Sequence, residues 1–385
     1  MKLFRQFAVF LLTVTCLLLS GCGNAKDADM LDYINGIGID YADNEYIVYF
    51  QMLSVSNIAK SEGSNPTENT PLWIGKGRGK TITEAVAKIY ESSPKEIFWG
   101  HTTGLLLTEN LLRSPEMKTY IREFDRFHET RYTSWVFATS DPIEKVFTVK
   151  PSFEQTRLLT RLHNPEDGYK QYSMIRPLML HDFVADYYDD GRSTLLPSLK
   201  VTGDTWEKDN AKKSSFTLGG VHVFQKNKYK GFIPAEKFVG ARWLENETEQ
   251  SFLTVEHGGK IAAMLKLIKP KSDIRIIRED GRIRYGVTVS ATAILSNKMT
   301  DISMNDLQKA AEKKVAEQIR LTFQEGLNLD ADVLQLNQKL HRFHYKLWKA
   351  VHPGGGGSAA LTADSLGPVD VHVSITLTGK YKYSR

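Results

Sequence analysis

Cysteine is nearly absent. The 385 residues contain two, Cys16 and Cys22. Cys16 lies inside an N-terminal apolar run, so a chain trimmed behind that run keeps only Cys22 and can form no internal disulfide. Its stability must come from packing. Long hydrophobic runs are missing as well. The longest, Ala8 to Leu19, covers about 12 residues where a bilayer-spanning helix needs roughly 20, and nothing beyond Cys22 reaches about 18. Charge of one sign is scarce: 50 Lys+Arg stand against 45 Asp+Glu, and Lys2 and Arg5 supply two of the net +5. The small net charge and the lack of a basic stripe argue against a dedicated nucleic-acid binder. Usage is otherwise that of a globular chain, which rules out wholesale disorder and fibrous repeats. The length fits two or three domains.

What is present starts at the N-terminus. A short basic opening, Met1 to Arg5, precedes the apolar run, which ends in Leu19-Ser20-Gly21-Cys22. This is the layout of a secretory signal, residues 1–21, closed by the lipobox of bacterial lipoproteins. Small side chains let an extended backbone enter a peptidase cleft, and the Cys22 thiol is the nucleophile that accepts a diacylglyceryl group. At about 0.8 kcal/mol per buried methylene, two acyl chains anchor stably where one does not. The expectation is a body tethered to the outer face of a membrane by lipid on Cys22, with Gly23 to Asp27 as a polar lead. An ordinary secretory signal with a chance cysteine is the alternative.

Along the chain, Ile34 to Asp40 and Tyr46 to Leu53 read as strands, the second apolar on both faces and therefore covered on both. Residues 56–71 read as a polar loop. Thr81-Ile82-Thr83-Glu84 has capping-box spacing and opens a helix to Ser92. Thr103–Thr108 and Tyr132–Thr139 read as strands. Helices are expected over Arg113–Phe127, after Asp141-Pro142, over Phe153–Leu162 and over Leu178–Tyr188. The polar stretch 203–215 is the candidate boundary between an N-terminal region, 22–205, and a C-terminal domain, 206–385. There, Phe216–Gln225 and Tyr229–Ile233 form a hairpin, and Pro234 begins a helix to about Leu244. Strands follow near 251–256, 261–269, 272–279 and 282–295. Two long helices are expected, Met304–Glu325, ended by Gly326, and Asp330–Val351. After a glycine run at 354–357, Val369, Val371, Val373, Ile375 and Leu377 alternate with polar residues as a strand with one dry face. The class is α+β, multi-domain, with antiparallel or mixed sheets backed by helices, a long helix pair and a returning C-terminal strand.

Few residues point to chemistry. Ile74-Gly75-Lys76-Gly77-Arg78-Gly79-Lys80-Thr81 resembles a phosphate loop, but Ile74 stands where the first glycine must be, so a turn into a capped helix is the better reading. His341 and His344 have a spacing that allows a shared metal, yet no ligand cluster lies near them, which favours surface or core roles. His101 shows no nucleophile or orienting partner. No Gly-x-Ser-x-Gly elbow occurs. Asn246-Glu247-Thr248 is a glycosylation sequon, discarded because the lipobox implies a bacterium. Tyr345, Trp348, Trp206 and Trp243 fit core packing better than a ligand cage. No catalytic, metal or cofactor residue is assigned.

In order, several segments resemble the Ger(x)C family, the lipoprotein C subunits of spore germinant receptors. They are the lipobox at Cys22, Ile37-Gly38-Ile39-Asp40, Gly77 to Ala85, Gly100-His101, Gly219 to Phe224 with Tyr229 to Ile233, and Leu340 to Trp348 leading into Val369 to Val373. Two segments depart from the family pattern, Leu329-Asp330-Ala331-Asp332-Val333 and Gly354 to Gly357. The resemblance implies a non-enzymatic receptor subunit at the outer surface of the spore inner membrane, acting with membrane-embedded A and B subunits in nutrient sensing. It further implies three α+β domains, so the N-terminal half divides in two. No cofactor is implied beyond diacylglyceryl and N-acyl lipid on Cys22. Two other classes compete. A transporter's solute-binding lipoprotein predicts two lobes of βα repeats around a cleft, and a cell-envelope hydrolase lacks any supporting motif.

Overall fold

The computed structural model describes residues 4–7, 31–53, 71–124, 131–151, 156–279, 282–352 and 361–376. Cys22, its polar lead, most of the loop 56–71 and the glycine run 354–357 lie outside them. Among the described residues no helix is long and apolar enough to cross a membrane.

A ten-stranded mixed sheet organises the chain up to residue 234. Its main path is β10-β9-β8-β6-β5-β1-β2-β3, where β1 is Leu31–Ala42, β2 Glu45–Leu53, β3 Leu72–Gly79, β5 Gly104–Thr108, β6 Trp135–Thr139, β8 Ser193–Lys208, β9 Ala211–Gln225 and β10 Lys228–Pro234. Two short strands join off this path, β4 (Glu96–Phe98) against β1 and β7 (Leu178–Met179) against β6. As its two apolar faces predict, β2 is buried from both sides. Tyr46, Val48 and Phe50 enter one core with α1 (Ile82–Tyr90), α2 (Glu109–Arg113), α3 (Glu116–Phe124) and α6 (Leu180–Tyr188). Ile47 and Tyr49 enter another, on α4 (Ile143–Thr148). A fifth short helix, α5, covers Glu166–Gln171.

The second sheet has four strands in the order β11-β12-β13-β14, with β11 Gln250–His257, β12 Lys260–Glu279, β13 Arg282–Lys298 and β14 Leu366–Thr376. β14 runs parallel to β13, and parallel neighbours need a long crossover. It contains α7 (Met304–Asn328), α8 (Leu336–Phe343) and α9 (Tyr345–Val351). Ser303 starts α7 by accepting the Asp306 N–H on its hydroxyl at 3.1 Å. The spacing-four stripe Leu307, Ala311, Val315, Ile319 and Phe323 is buried against the sheet, and each large member contributes about 1.5–3 kcal/mol. Val371 and Val373 on β14 complete this core. The α+β class holds, with both sheets backed by helices.

Several boundaries differ from expectation. The single helix over Asp330–Val351 is a turn and two short helices broken at His344. The break before Leu336 has a cause: the buried Asp332 carboxylate accepts the Leu336 and Asn337 N–H groups at 3.0 and 2.6 Å, starting a new helix there. Helix α7 runs through Gly326 to Asn328, and Gly326 instead makes room for Ala331 and Val333 to fold back on it. Residues 234–244 hold turns and one 3-10 turn, Ala241–Trp243, rather than a helix. Gly240 lies so close to the α7 backbone that a Cβ would meet the Gln318 carbonyl oxygen at 2.3 Å. The strands expected at 261–269 and 272–279 are one strand, and Pro270 sits at its register shift, where its missing N–H is tolerated. The described part of the helix expected at 153–162 is a 3-10 turn, Arg157–Leu159. Of the helix expected at 113–127, Arg113 ends α2 and the described remainder from Glu116 is α3, with Ser114 and Pro115 between them. The polar stretch 203–215 forms the outer part of the β8–β9 hairpin, so the first sheet continues through it.

Candidate functional site

The glycines that imitate a phosphate loop lie along β3 under α1. A Cβ on Gly77 would meet the Ala85 carbonyl oxygen at 1.9 Å, and one on Gly79 the Ala85 nitrogen at 2.6 Å. Glycine at every second position lets helix backbone rest on strand backbone, so the run is a packing device. Thr81 caps α1 by accepting the Glu84 N–H at 3.1 Å, and the Glu84 carboxylate accepts the Lys80 N–H at 2.7 Å.

His101 is exposed and edge-on to Tyr33, centroids 4.8 Å apart. His341 packs edge-on against Trp348 at 4.5 Å and lies 3.4 Å from Asp189, while His344 is exposed. No group of three or more potential metal ligands occurs among the described residues. Trp243 and Trp348 are core residues, whereas Trp206 and Tyr345 are exposed. Asn246 is exposed at the rim of the cleft described next.

The structure brings together residues that sequence reasoning passed over. A cleft of about 500 Å³ opens where β8 and β9 meet the second sheet and α8. Its charged lining is mostly paired. Arg176 Nε donates to Glu247 at 2.8 Å and reaches Asp182 at 3.4 Å. Arg192 lies 3.0 Å from Asp186 and Lys339 2.8 Å from Asp273. Burial pushes the Asp186 carboxyl up to about 6 despite Arg192. Arg242 differs. It is 5% exposed and donates to Ser251 Oγ at 2.9 Å, Met174 Sδ at 2.8 Å and Gln318 Oε1 at 3.3 Å, with its guanidinium over the Trp243 ring at 4.4 Å. No carboxylate pairs with it among the described residues, and its Nε–H finds no acceptor. Burial lowers its pKa. One signal in the sequence marked it: an arginine inside the apolar run Phe238 to Leu244.

The cleft is braced from both halves of the chain. Gln335 donates from Nε2 to the Ser193 carbonyl at 2.7 Å and accepts the Ser193 N–H on Oε1 at 3.1 Å. Asp332 N–H donates to Gln225 Oε1 at 3.2 Å. Gln335 adopts φ 57°, a left-handed conformation uncommon for its type.

A second buried network lies under the first sheet. His163 Nε2 meets Gln51 Oε1 at 2.8 Å and its Nδ1 meets Thr103 Oγ1 at 2.8 Å, while Gln51 Nε2 donates to the Phe147 carbonyl at 2.9 Å. With Gln51 Oε1 as acceptor, Nε2 carries the proton and Nδ1 accepts from Thr103. Burial pushes His163 down to about 4. Every polar atom of this ring is partnered, which marks a structural histidine.

Residues 24–201 match a family described as the spore germination protein N-terminal domain, and residues 219–355 one described as spore germination B3/GerAC like, C-terminal. Spore germination protein KC of Bacillus subtilis (strain 168) is 22% identical over 360 residues, 88% of each chain. Spore germination protein B3 of the same organism is 26% identical over 347 residues, 88% of this chain and 85% of that one. The crystal structure of the GerBC protein superposes with a TM-score of 0.55 at 17% identity, covering 91% of this chain and 99% of that one, a likeness of fold. The chain belongs to the Ger(x)C family of spore germination proteins.

Proposed function

We propose that this chain is the lipid-anchored subunit of a nutrient germinant receptor, held at the outer face of the spore inner membrane and working with A- and B-type membrane subunits. The observation that carries the reading is the succession of both spore germination family segments along one chain, together with relatives named as spore germination proteins aligned over 88% of it. The lipobox ending at Cys22 stands immediately before the first segment and supplies the anchor. In this reading, nutrient binding to the assembled receptor favours an active state, and the chain contributes contacts that differ between the two states.

The test is nutrient-triggered dipicolinate release from dormant spores that lack the gene, across amino acids, sugars and nucleosides. We expect loss of response to one nutrient group, restored by the wild-type gene and not by Cys22→Ala. The Cys22→Ala protein should also leave the detergent phase for the aqueous phase in a Triton X-114 partition. Normal responses to every nutrient, with paralogous receptors deleted as well, would overturn the reading.

A further inference from the structure

We propose that the end of the first sheet at which the chain enters the fold lies on the bilayer, with its exposed aromatic side chains seated among the lipid headgroups. The inference deepens the receptor reading and rests on its lipid anchor at Cys22.

Topology gathers the surface. β5 and β6 run parallel to β1, and β3 takes the same direction through the antiparallel β2. These four strands begin at one end of the sheet, and β4 lies there too, paired with the first residues of β1. Helix α1 returns along β3, with Ile89 packing beside Gly75, so Tyr90 closes it at that end. Trp73, Phe98, Tyr132 and Tyr90 are 69, 41, 45 and 43% exposed. Tyr33, Phe98 and His101 form a cluster with ring centroids 5.7, 4.8 and 5.9 Å apart. The path β3-β2-β1-β5-β6 crosses four gaps of about 4.8 Å, so the aromatic band is roughly 19 Å wide. The opposite end of the same strands differs in kind: Asp43, Asn44, Lys80 and Ser140 are exposed there.

Two observations select a lipid surface as the occupant. The first is where the chain comes from. Leu31 opens β1 nine positions after Cys22, a lead that reaches at most about 30 Å when fully extended. Ala42, at the polar end of β1, lies eleven residues further on, about 36 Å from Leu31. A lipid on Cys22 therefore holds the aromatic end near the bilayer and is too short to let the polar end lie on it. The second observation is the type of side chain. Trp and Tyr concentrate at membrane–water boundaries, where a flat apolar ring and its polar edge are both satisfied. The charges around them give no field of one sign: Lys88 pairs with Glu91 at 3.0 Å, and Lys95 and Arg131 stand with Asp32 and Glu96. Attraction comes from the rings, which suits zwitterionic lipid.

The experiment is tryptophan fluorescence of the full lipidated chain on phosphatidylcholine vesicles, comparing ordinary acyl chains with chains brominated next to the headgroup. Bromine quenches only the indoles that it approaches closely, so emission should be lower on the brominated vesicles. Trp73→Phe should cut that loss by roughly half or more, while Trp206→Phe, on the exposed part of the β8–β9 hairpin, leaves it unchanged. Equal emission on the two kinds of vesicle overturns the inference and leaves the aromatic end for a protein partner. Quenching that survives Trp73→Phe, or that disappears with Trp206→Phe, overturns it as well. Flotation of the same vesicles separates the two readings. A chain that floats without being quenched keeps its anchor and refutes only this orientation, whereas a chain that does not float refutes the anchor and the orientation together.

Discussion

Replacing Gly77 by alanine adds one methyl group at a point where strand and helix backbones touch. The new Cβ would stand 1.9 Å from the Ala85 carbonyl oxygen, 3.0 Å from its carbon and 3.1 Å from Ile89 Cγ1. A carbon and a carbonyl oxygen come no closer than about 3.3 Å even in favourable contacts, so α1 must lift from β3 by roughly 1.4 Å. The obstacle is helix backbone, which cannot rotate aside like the end of a side chain. Lifting α1 loosens Ile82, Ala85, Val86 and Ile89, all buried in the core above β2. Overpacking of this kind costs about 1–3 kcal/mol, and backbone obstruction places Gly77→Ala at the upper end. The gain from removing a glycine from a strand, about 0.5–1 kcal/mol, offsets only part of it. Urea unfolding followed by tryptophan fluorescence should show a clearly lower midpoint. Gly203→Ala is the internal control: it lies on β8 with nothing within 4 Å of its added Cβ, so its midpoint should match wild type. A Gly77→Ala midpoint coincident with wild type would refute the packing account of the β3 glycines.

Two further perturbations follow from buried ionisable groups. The unfolded chain protonates His163 near 6.5, whereas the fold resists until about 4. The stability it lends is therefore whole above pH 6.5 and is lost as pH falls towards 4, by at most about 3 kcal/mol. His163→Gln should flatten the fall in urea midpoint between pH 7 and 4.5, leaving the part due to His222, which burial also pushes down to about 4; an unchanged slope would count against the neutral His163 network. Asp332→Ala leaves the Leu336 and Asn337 N–H groups buried without their acceptor and should cost about 2–3 kcal/mol. Thermal melts of Asp332→Ala and Asp332→Asn should show the asparagine, which keeps one acceptor oxygen, as the milder change; equal melts for both and wild type would dismiss the cap.

Periodicity carried the most in the sequence where one element buries one face. The α7 stripe and the alternation in β14 were both legible because each buries one face against one partner, α7 on the sheet and β14 under α7. So was β2, apolar on both faces and buried on both. Legibility failed where a distant residue decides the local path. The end of α7 and the start of α8 depend on Asp332 and on Gln335 reaching Ser193. The extended glycine run before α1 looked like a loop because the helix backbone that requires it is not adjacent in pattern. The cleft was invisible for the same reason: its lining comes from segments near 176, 192, 242, 273 and 339, none of which forms a motif alone.

The Gln335 brace on Ser193 also bears on how the chain matures. Its two hydrogen bonds join positions 142 residues apart. During synthesis the start of β8 must wait for all of the second sheet's first three strands and for α7 before its last partner exists. At about 5–20 residues per second this interval is roughly 7–28 s. Throughout it, the Ser193 backbone groups lack the side chain that will seal them, and the cleft has only one of its two walls. The nascent protein thus passes through a stage with a nearly finished first sheet and an open seam along β8, the segment that chaperones and proteases would meet first.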